Sequence, residues 1–261
     1  MTFIKSFIMK SIRIFAFLLF VMVAAVMMAG PGVVAHRGYW QTPGSAQNSL
    51  RSLVKADSVG CYASEFDVWC TRDGVLVVNH DADINGVVIA DATAAEVLAQ
   101  HLPNGETVPT LDSYLAEAAT LPVRLVCELK VHDSRATERR AVEEIIAMVK
   151  KYGLENRTDY ITFSCDAFRE FIAKAPEGAG VYYLEGNYVP TQIKHMGGAG
   201  IDYYIGVMKK HPEWIDECHS LGLLVNVWTV NKPEDMQWCI DHGVDFITTN
   251  DPELLQSLLD R

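Results

Sequence analysis

The sequence predicts an α/β fold, a (β/α)8 TIM barrel with a β-hairpin insertion after strand 2. Three observations carry this expectation. Eight short β-rich runs follow one another over about 230 residues. Most are separated by segments with helical spacing, and the one break in the alternation carries a strong hairpin signal. Eight strands with helices between them is the count of a closed parallel barrel. A doubly wound open sheet is the alternative, because pattern alone does not show closure.

Residues 1–29 stand apart from this repeat. Lys5, Lys10 and Arg13 precede sixteen uncharged apolar residues, Ile14 to Ala29. That run is short for a membrane span and slightly long for the apolar part of a signal peptide. Met9 offers a second start with a compact basic leader. We read 1–29 as a signal peptide and 30–261 as the barrel domain. The protein is then expected to be exported, periplasmic or secreted, or membrane-anchored if the segment stays uncleaved.

The runs are VVAHRG (33–38), ASEFDVW (63–69), VRLVCELK (123–130), DYITFS (159–164), GVYYLE (180–185), IDYYIG (201–206), LLVNVWTV (223–230) and DFITTN (245–250). After the second run, Asp73-Gly74 is a hairpin turn. VLVVNH (75–80) should therefore fold back antiparallel on strand two. Residues 82–106 read as a loop with a short strand, GVVI, and a helix, AAEVLAQHL. PTLDSYLAEAA then supplies the helix before strand three. The segment 137–153 places Ala141, Ile145, Met148 and Val149 on one helical face. KPEDMQWCIDHG opens on Pro233 and closes on Gly243, a start and a stop in the expected places.

Of the 261 residues, 49% are hydrophobic and 21% charged, enough to bury one large core. The net charge of -11 excludes a basic nucleic-acid surface. Six cysteines are scattered without metal-ligand spacing and read mostly as buried thiols. No amphipathic insertion helix is visible, so no stable membrane insertion of the mature domain is expected.

Catalytic residues of parallel barrels gather at the C-terminal ends of the strands. His36-Arg37 ends strand one, Glu65 and Asp67 end strand two, and Glu128 and Lys130 end strand three. Alternation puts Glu65 and Asp67 on one face and Phe66 and Val68 on the other. Glu128 and Lys130 point together by the same parity. Three converging carboxylates repel unless a cation joins them, and oxygen-only ligands suit a hard ion, Ca2+ or Mg2+. Arg37 and Lys130 could neutralise a phosphate, and His36 with His80 could move protons on ester oxygens. That is equipment for cleaving a phosphodiester. Glu185 closes the fifth run on the active side and is a candidate for binding a substrate hydroxyl. Tyr203 and Tyr204 read as barrel packing.

AHRG, EFDVWCTRDGVLVVNHD, ELK and VNVWTVNKPEDMQWCIDHGVDFITTNDP together resemble the glycerophosphodiester phosphodiesterase family, in the family's order from Val33 to Pro252. The resemblance implies a barrel of the phosphatidylinositol-phospholipase-C-like type. It implies metal ligands at Glu65, Asp67 and Glu128, and acid/base histidines at His36 and His80. Arg37 and Lys130 match residues at the phosphate, and Trp228 an aromatic near the pocket. The implied activity belongs to lipid metabolism: metal-dependent hydrolysis of a small-molecule glycerophosphodiester to glycerol 3-phosphate and an alcohol. Two departures stand beside the pocket. Gln47-Asn48-Ser49 replaces the family's Glu-Asn-Thr, and ADINGVVI replaces its usual segment after His80-Asp81. A phospholipase acting on intact phospholipid or sphingolipid head groups, and a catalytically silent ligand-binding barrel, are the alternatives.

Overall fold

Pairing of the first strand with the last closes this chain on itself. The computed structural model describes residues 30–260, so the expected signal peptide lies outside the described residues. The strands in chain order are β1 (Gly32–Ala35), β2 (Ala63–Cys70), β3 (Leu76–Val78), β4 (Asp83–Ile84), β5 (Val87–Val88) and β6 (Arg124–Leu129). They continue with β7 (Thr158–Thr162), β8 (Val181–Tyr183), β9 (Gly200–Tyr204), β10 (Leu224–Trp228) and β11 (Phe246–Thr249). β1 pairs in parallel with both β11 and β2. The eight parallel strands thus form a closed barrel, with helices packed outside it.

Side chains on the two faces of each strand divide the core. Outward-facing Phe66, Val68, Leu125, Cys127, Leu129, Val225 and Ile247 are fully buried against the helices. At roughly 1.5–3 kcal/mol for each large apolar side chain buried, this belt is the main source of stability. Inside the barrel the apolar cluster is small: Val34, Ala63, Val126, Ile161, Tyr182 and Leu184. The remaining inward positions carry buried polar groups, including Glu65, Asp67, Glu128, Asp202, Asn226 and Thr248. The outer belt stabilises the barrel well enough for its mouth to hold charge.

The hairpin expectation is borne out. β3 runs antiparallel to β2, with Val68 opposite Val78 and Cys70 opposite Leu76. This pairing carries β2 on to Cys70, so Glu65 and Asp67 lie within the strand and do not end it. β1, in contrast, stops at Ala35, one residue before His36. The insertion holds a second hairpin that GVVI only half announced. β4 pairs with β5 across Asn85-Gly86, both with positive φ (52° and 84°), the geometry of a two-residue hairpin turn. Ile84, Ile89, Val97 and Val108 make a separate small core beneath it.

The helix expected over 137–153 spans Arg135–Lys151, capped by Ser134. Ala141, Ile145 and Val149 are buried as expected, joined by Val142, while Met148 is partly exposed. The last expected helix spans Pro233–Asp241, with Pro233 in its first turn. All six cysteines are free thiols, and all but Cys165 are buried. Among the described residues, no helix is long and apolar enough to cross a membrane.

Candidate active site

The turn after β1 aims the first two polar groups. Arg37 and Gly38 both adopt positive φ, 59° and 72°. A Cβ at Gly38 would lie 2.4 Å from Ser52 Oγ and 2.7 Å from the Ser52 carbonyl carbon, so only glycine fits there. The turn lets the Arg37 backbone N–H donate to Glu65 Oε2 at 2.7 Å, and Arg37 Nη1 donate to Gln47 Oε1 at 2.6 Å. His36 Nδ1 lies 2.7 Å from Asn250 Oδ1. The amide oxygen can only accept, so the proton sits on Nδ1 and Nε2 keeps its lone pair.

Glu65, Asp67 and Glu128 meet through register. Asp67 is paired directly with Glu128 across β2 and β6. Each residue offers an oxygen within 4.8 Å of the other two, and all three are buried. Lys130 Nζ donates to Asp67 Oδ1 at 3.2 Å and lies 2.7 Å from Glu128 Oε1. Asn48 Nδ2 donates to Asp67 Oδ2 at 2.8 Å, and the Asp67 N–H returns a bond to Asn48 Oδ1. Burial raises the Asp67 pKa, but Lys130, His80, Asn48 and Arg37 together outweigh it and hold the group below the usual range. Glu65 is driven well above its usual value by burial and then by Asp67 and Glu128. Glu128 is pushed up to about 8, by burial first and Asp67 second.

These residues fit a hard cation. Glu65 Oε1 is buried without a hydrogen-bond partner. Buried polar atoms are normally paired, and like charges this close are tolerated when an opposite charge joins them. An all-carboxylate donor set without sulfur suits a hard divalent cation.

His36 and His80 line one cavity of about 110 Å3, with Arg37, Glu65, Glu128 and Lys130. Its opposite wall is Ile161, Phe163, Leu184, Trp228 and Asp202, with Thr229 and Thr248 beside them. His36 is lowered to about 4, by burial first and Arg37 second, against the opposing pull of Asn250 and Asp67. Burial also lowers His80, but that ring is less enclosed, and its Nδ1 lies 2.7 Å from Asp81 Oδ1. Trp69 Nε1 donates to the His80 carbonyl at 3.1 Å and so ties the hairpin's end to strand two. Beyond Arg37 and His80 a wider groove of about 670 Å3 includes Trp40, Gln47, Asp81 and Asp83.

Glu185 is not brought into the cavity. Tyr182 and Leu184 take the inward positions, so parity turns Glu185 out to solvent. Tyr203 packs as expected, but Tyr204 is half-exposed against Trp228, ring centroids 5.6 Å apart. The sequence reading passed over three groups: Asn48, Asn250 and Asp202. Asn48 and Asn250 stand in QNS and TTN, and Asp202 is an acid at an inward position of β9. His132 accepts the Cys70 N–H at 3.0 Å.

The chain is similar to known proteins over most of its length. Residues 36–254 match the model of the glycerophosphoryl diester phosphodiesterase family. A solved glycerophosphodiester phosphodiesterase from Parabacteroides distasonis is 48% identical, with a TM-score of 0.87 over 89% of this chain and 98% of that one. The glycerophosphodiester phosphodiesterase of Caldanaerobacter subterraneus is 27% identical over 243 residues, 87% of this chain and 97% of its own length. A phosphodiesterase of Oleispira antarctica, solved in complex with the product sn-glycerol-3-phosphate, shares the fold at 22% identity and a TM-score of 0.76, over 89% of this chain and 98% of that one. The matched span takes in the barrel from His36 to its last helix, and the chain belongs to the glycerophosphoryl diester phosphodiesterase family.

Proposed function

We propose that this barrel hydrolyses glycerophosphodiesters to glycerol 3-phosphate and an alcohol, and that it does so with a divalent cation, Ca2+ or Mg2+. The observation that carries this reading is the convergence of two histidines, two cationic side chains, Glu65 and Glu128 on one small cavity, with Asp67 clustered against both carboxylates. Glu65, Asp67 and Glu128 would hold the cation, which supplies charge neutralisation at the phosphate oxygens.

The chain's own residues account for the rest. Arg37 and Lys130 bring fixed positive charge to the phosphate. His36, neutral above about pH 4, presents Nε2 as the base for the glycerol hydroxyl nearest phosphorus. That O–H bond breaks as the oxygen–phosphorus bond forms. The bond from phosphorus to the leaving oxygen then opens, and protonated His80 gives that oxygen its proton. Asp67, and then the hydrogen bond to Asp81, favour the imidazolium against the effect of burial. Water, activated in the reverse sense, opens the cyclic phosphate. The 110 Å3 cavity suits the three-carbon glycerol, and the wider groove beyond Arg37 and His80 suits the leaving alcohol. Export from the cytoplasm is supported by the basic and apolar character of residues 1–29.

The test is a panel of glycerophosphodiesters assayed for released alcohol and glycerol 3-phosphate, with chelator and with added cation. Cation-dependent release of both products is expected. Release that persists undiminished in metal-free protein would overturn the cation reading, and no release from any member would overturn the reaction.

A further inference from the structure

Two aromatic side chains, His132 and Trp69, stand behind the site without lining its cavity, and every polar atom they carry is engaged. His132 Nδ1 lies 2.7 Å from the Lys130 carbonyl oxygen, and its Nε2 accepts the Cys70 N–H at 3.0 Å. A carbonyl can only accept and a peptide N–H can only donate, so the ring is neutral with its proton on Nδ1. Burial lowers its pKa, against the Lys130 hydrogen bond, Glu138 and Asp133, and so preserves that form. The His132 main-chain N–H donates to Glu138 Oε1 at 3.2 Å, and Glu138 is buried in the helix Arg135–Lys151. No ring nitrogen is left for proton transfer. The ring ties Cys70, the last residue of β2, to Lys130, the residue after β6.

The ring held in this way meets Trp69 edge-on, centroids 5.2 Å apart. Trp69 also packs on the small core under the insertion, and its Nε1 donates to the His80 carbonyl at 3.1 Å. His80 lies two residues beyond β3, past the last rung of the hairpin, where the Asn79 N–H donates to the Asp67 carbonyl at 3.1 Å. Among the described residues, the indole makes the one hydrogen bond to the His80 main chain. The other partner of His80 is exposed Asp81. Asp81 is the next residue and moves with the same loop, so it orients the ring without placing it.

We infer that His132 and Trp69 are positioning residues for the acid of the reaction: His132 sets the indole, and the indole sets the main chain from which the His80 imidazolium reaches the leaving oxygen. This rests on the proton-transfer reading above. Neither side chain touches substrate, and neither gains or loses a proton. Lys130 keeps its own N–H bond to the Val68 carbonyl at 3.1 Å and its contacts with Asp67 and Glu128, so loss of the His132 ring does not release it. The effect of both residues falls on the step that needs a proton on the leaving oxygen.

The experiment follows single turnovers, with enzyme in excess, of two diesters of glycerol 3-phosphate. One releases choline, whose oxygen needs a proton to leave; the other releases 4-nitrophenolate, which leaves without one. Parent, Trp69→Phe, His132→Ala, their double variant, His132→Gln and His80→Ala are compared at saturating cation. Trp69→Phe keeps a ring and loses only the donor. On the choline ester, Trp69→Phe and His132→Ala should each slow cleavage about tenfold to hundredfold, the scale of a reacting group misplaced by about 1 Å. The enzyme concentration for half-maximal rate should change little. The double variant should lose little more than either single one, because both act through His80. His132→Gln keeps an acceptor for the Cys70 N–H and a planar group beside the indole, and should recover most of the rate. On the 4-nitrophenyl ester all these losses, that of His80→Ala included, should shrink to about threefold or less, since no acid is needed.

Parent-rate choline release by Trp69→Phe would overturn the inference, even where His132→Ala does not fold. So would losses equal on the two esters while His80→Ala spares the 4-nitrophenyl one, or additive losses in the double variant. Each of these leaves the reaction standing. An equal loss on both esters in His80→Ala would overturn the acid assignment and this inference together. No cleavage of either ester by the parent would overturn the functional reading as well.

Discussion

Replacing Asn250 with aspartate should move the acid limb of the enzyme's pH profile upward. In the parent, His36 titrates at about 4, because burial and the Arg37 charge outweigh the hydrogen bond it donates to Asn250 and the attraction of Asp67, and His80 adds to the depression. Asn250 Oδ1 lies 2.7 Å from His36 Nδ1. Asn250→Asp places a carboxylate at that distance without changing side-chain length. An adjacent opposite charge shifts a pKa by about 1–3 units toward the charged form, so His36 should rise to roughly 5–7. The acid limb of kcat/KM should rise by the same amount, with little change on the basic side.

Stability should respond in the corresponding sense. The parent's His36 is depressed from 6.5 to about 4 on folding, so its contribution is complete above pH 6.5 and is lost as pH falls through 4. At 1.36 kcal/mol per unit that loss is on the order of 3 kcal/mol. In Asn250→Asp the folded value approaches the unfolded one, and most of the loss should vanish. The assays are kcat/KM against pH at saturating cation, and urea unfolding over the same range. If the variant folds but its acid limb superimposes on the parent's, His36 is not the titrating base and the proton-transfer assignment is wrong.

Gly38→Ala should cost about 2–5 kcal/mol, the sum of a left-handed backbone penalty and overpacking against Ser52, and an unchanged Tm would refute the steric argument. Gln47→Glu should keep the fold and leave kcat/KM on glycerophosphodiesters equal or higher, since a carboxylate accepts from Arg37 Nη1 more strongly than an amide. A large loss would show that the neutral amide is needed. Glu65→Gln replaces a buried carboxyl whose ionisation is opposed by burial, Asp67 and Glu128, so the metal-free protein should be at least as stable as the parent. Its stabilisation by Ca2+ or Mg2+ in thermal melts, about 2.7 kcal/mol at a hundredfold excess over Kd for the parent, should disappear. A parent whose Tm ignores both cations would contradict the carboxylate site.

Much of this molecule was legible because strand parity and turn chemistry are local. The alternation E-F-D-V in β2 placed Glu65 and Asp67 together, and the same period in β6 placed Glu128 with them. Asp73-Gly74 announced the hairpin that brings His80 back to the rim, and the helix marked by Pro233 and Gly243 begins on the proline and ends two residues before the glycine. Extrapolating the same parity past the end of a short strand is less secure. Glu185 was assigned to the active side, and it faces solvent because Leu184 keeps the inward position.

What only the tertiary structure decided depends on closure. The hydrogen bond from His36 to Asn250 spans 214 residues and exists because β1 lies beside β11. Nothing in either local sequence encodes that neighbour, yet it fixes which ring nitrogen of His36 is free. Asp202 on β9 lines the same cavity as Glu65 on β2 and Glu128 on β6 because the barrel brings these strands round to face one axis. Periodicity is a property of successive residues and can be read along the chain. Proximity across a closed sheet is set by strand order and register over the whole circumference, so it appears only when the last strand meets the first.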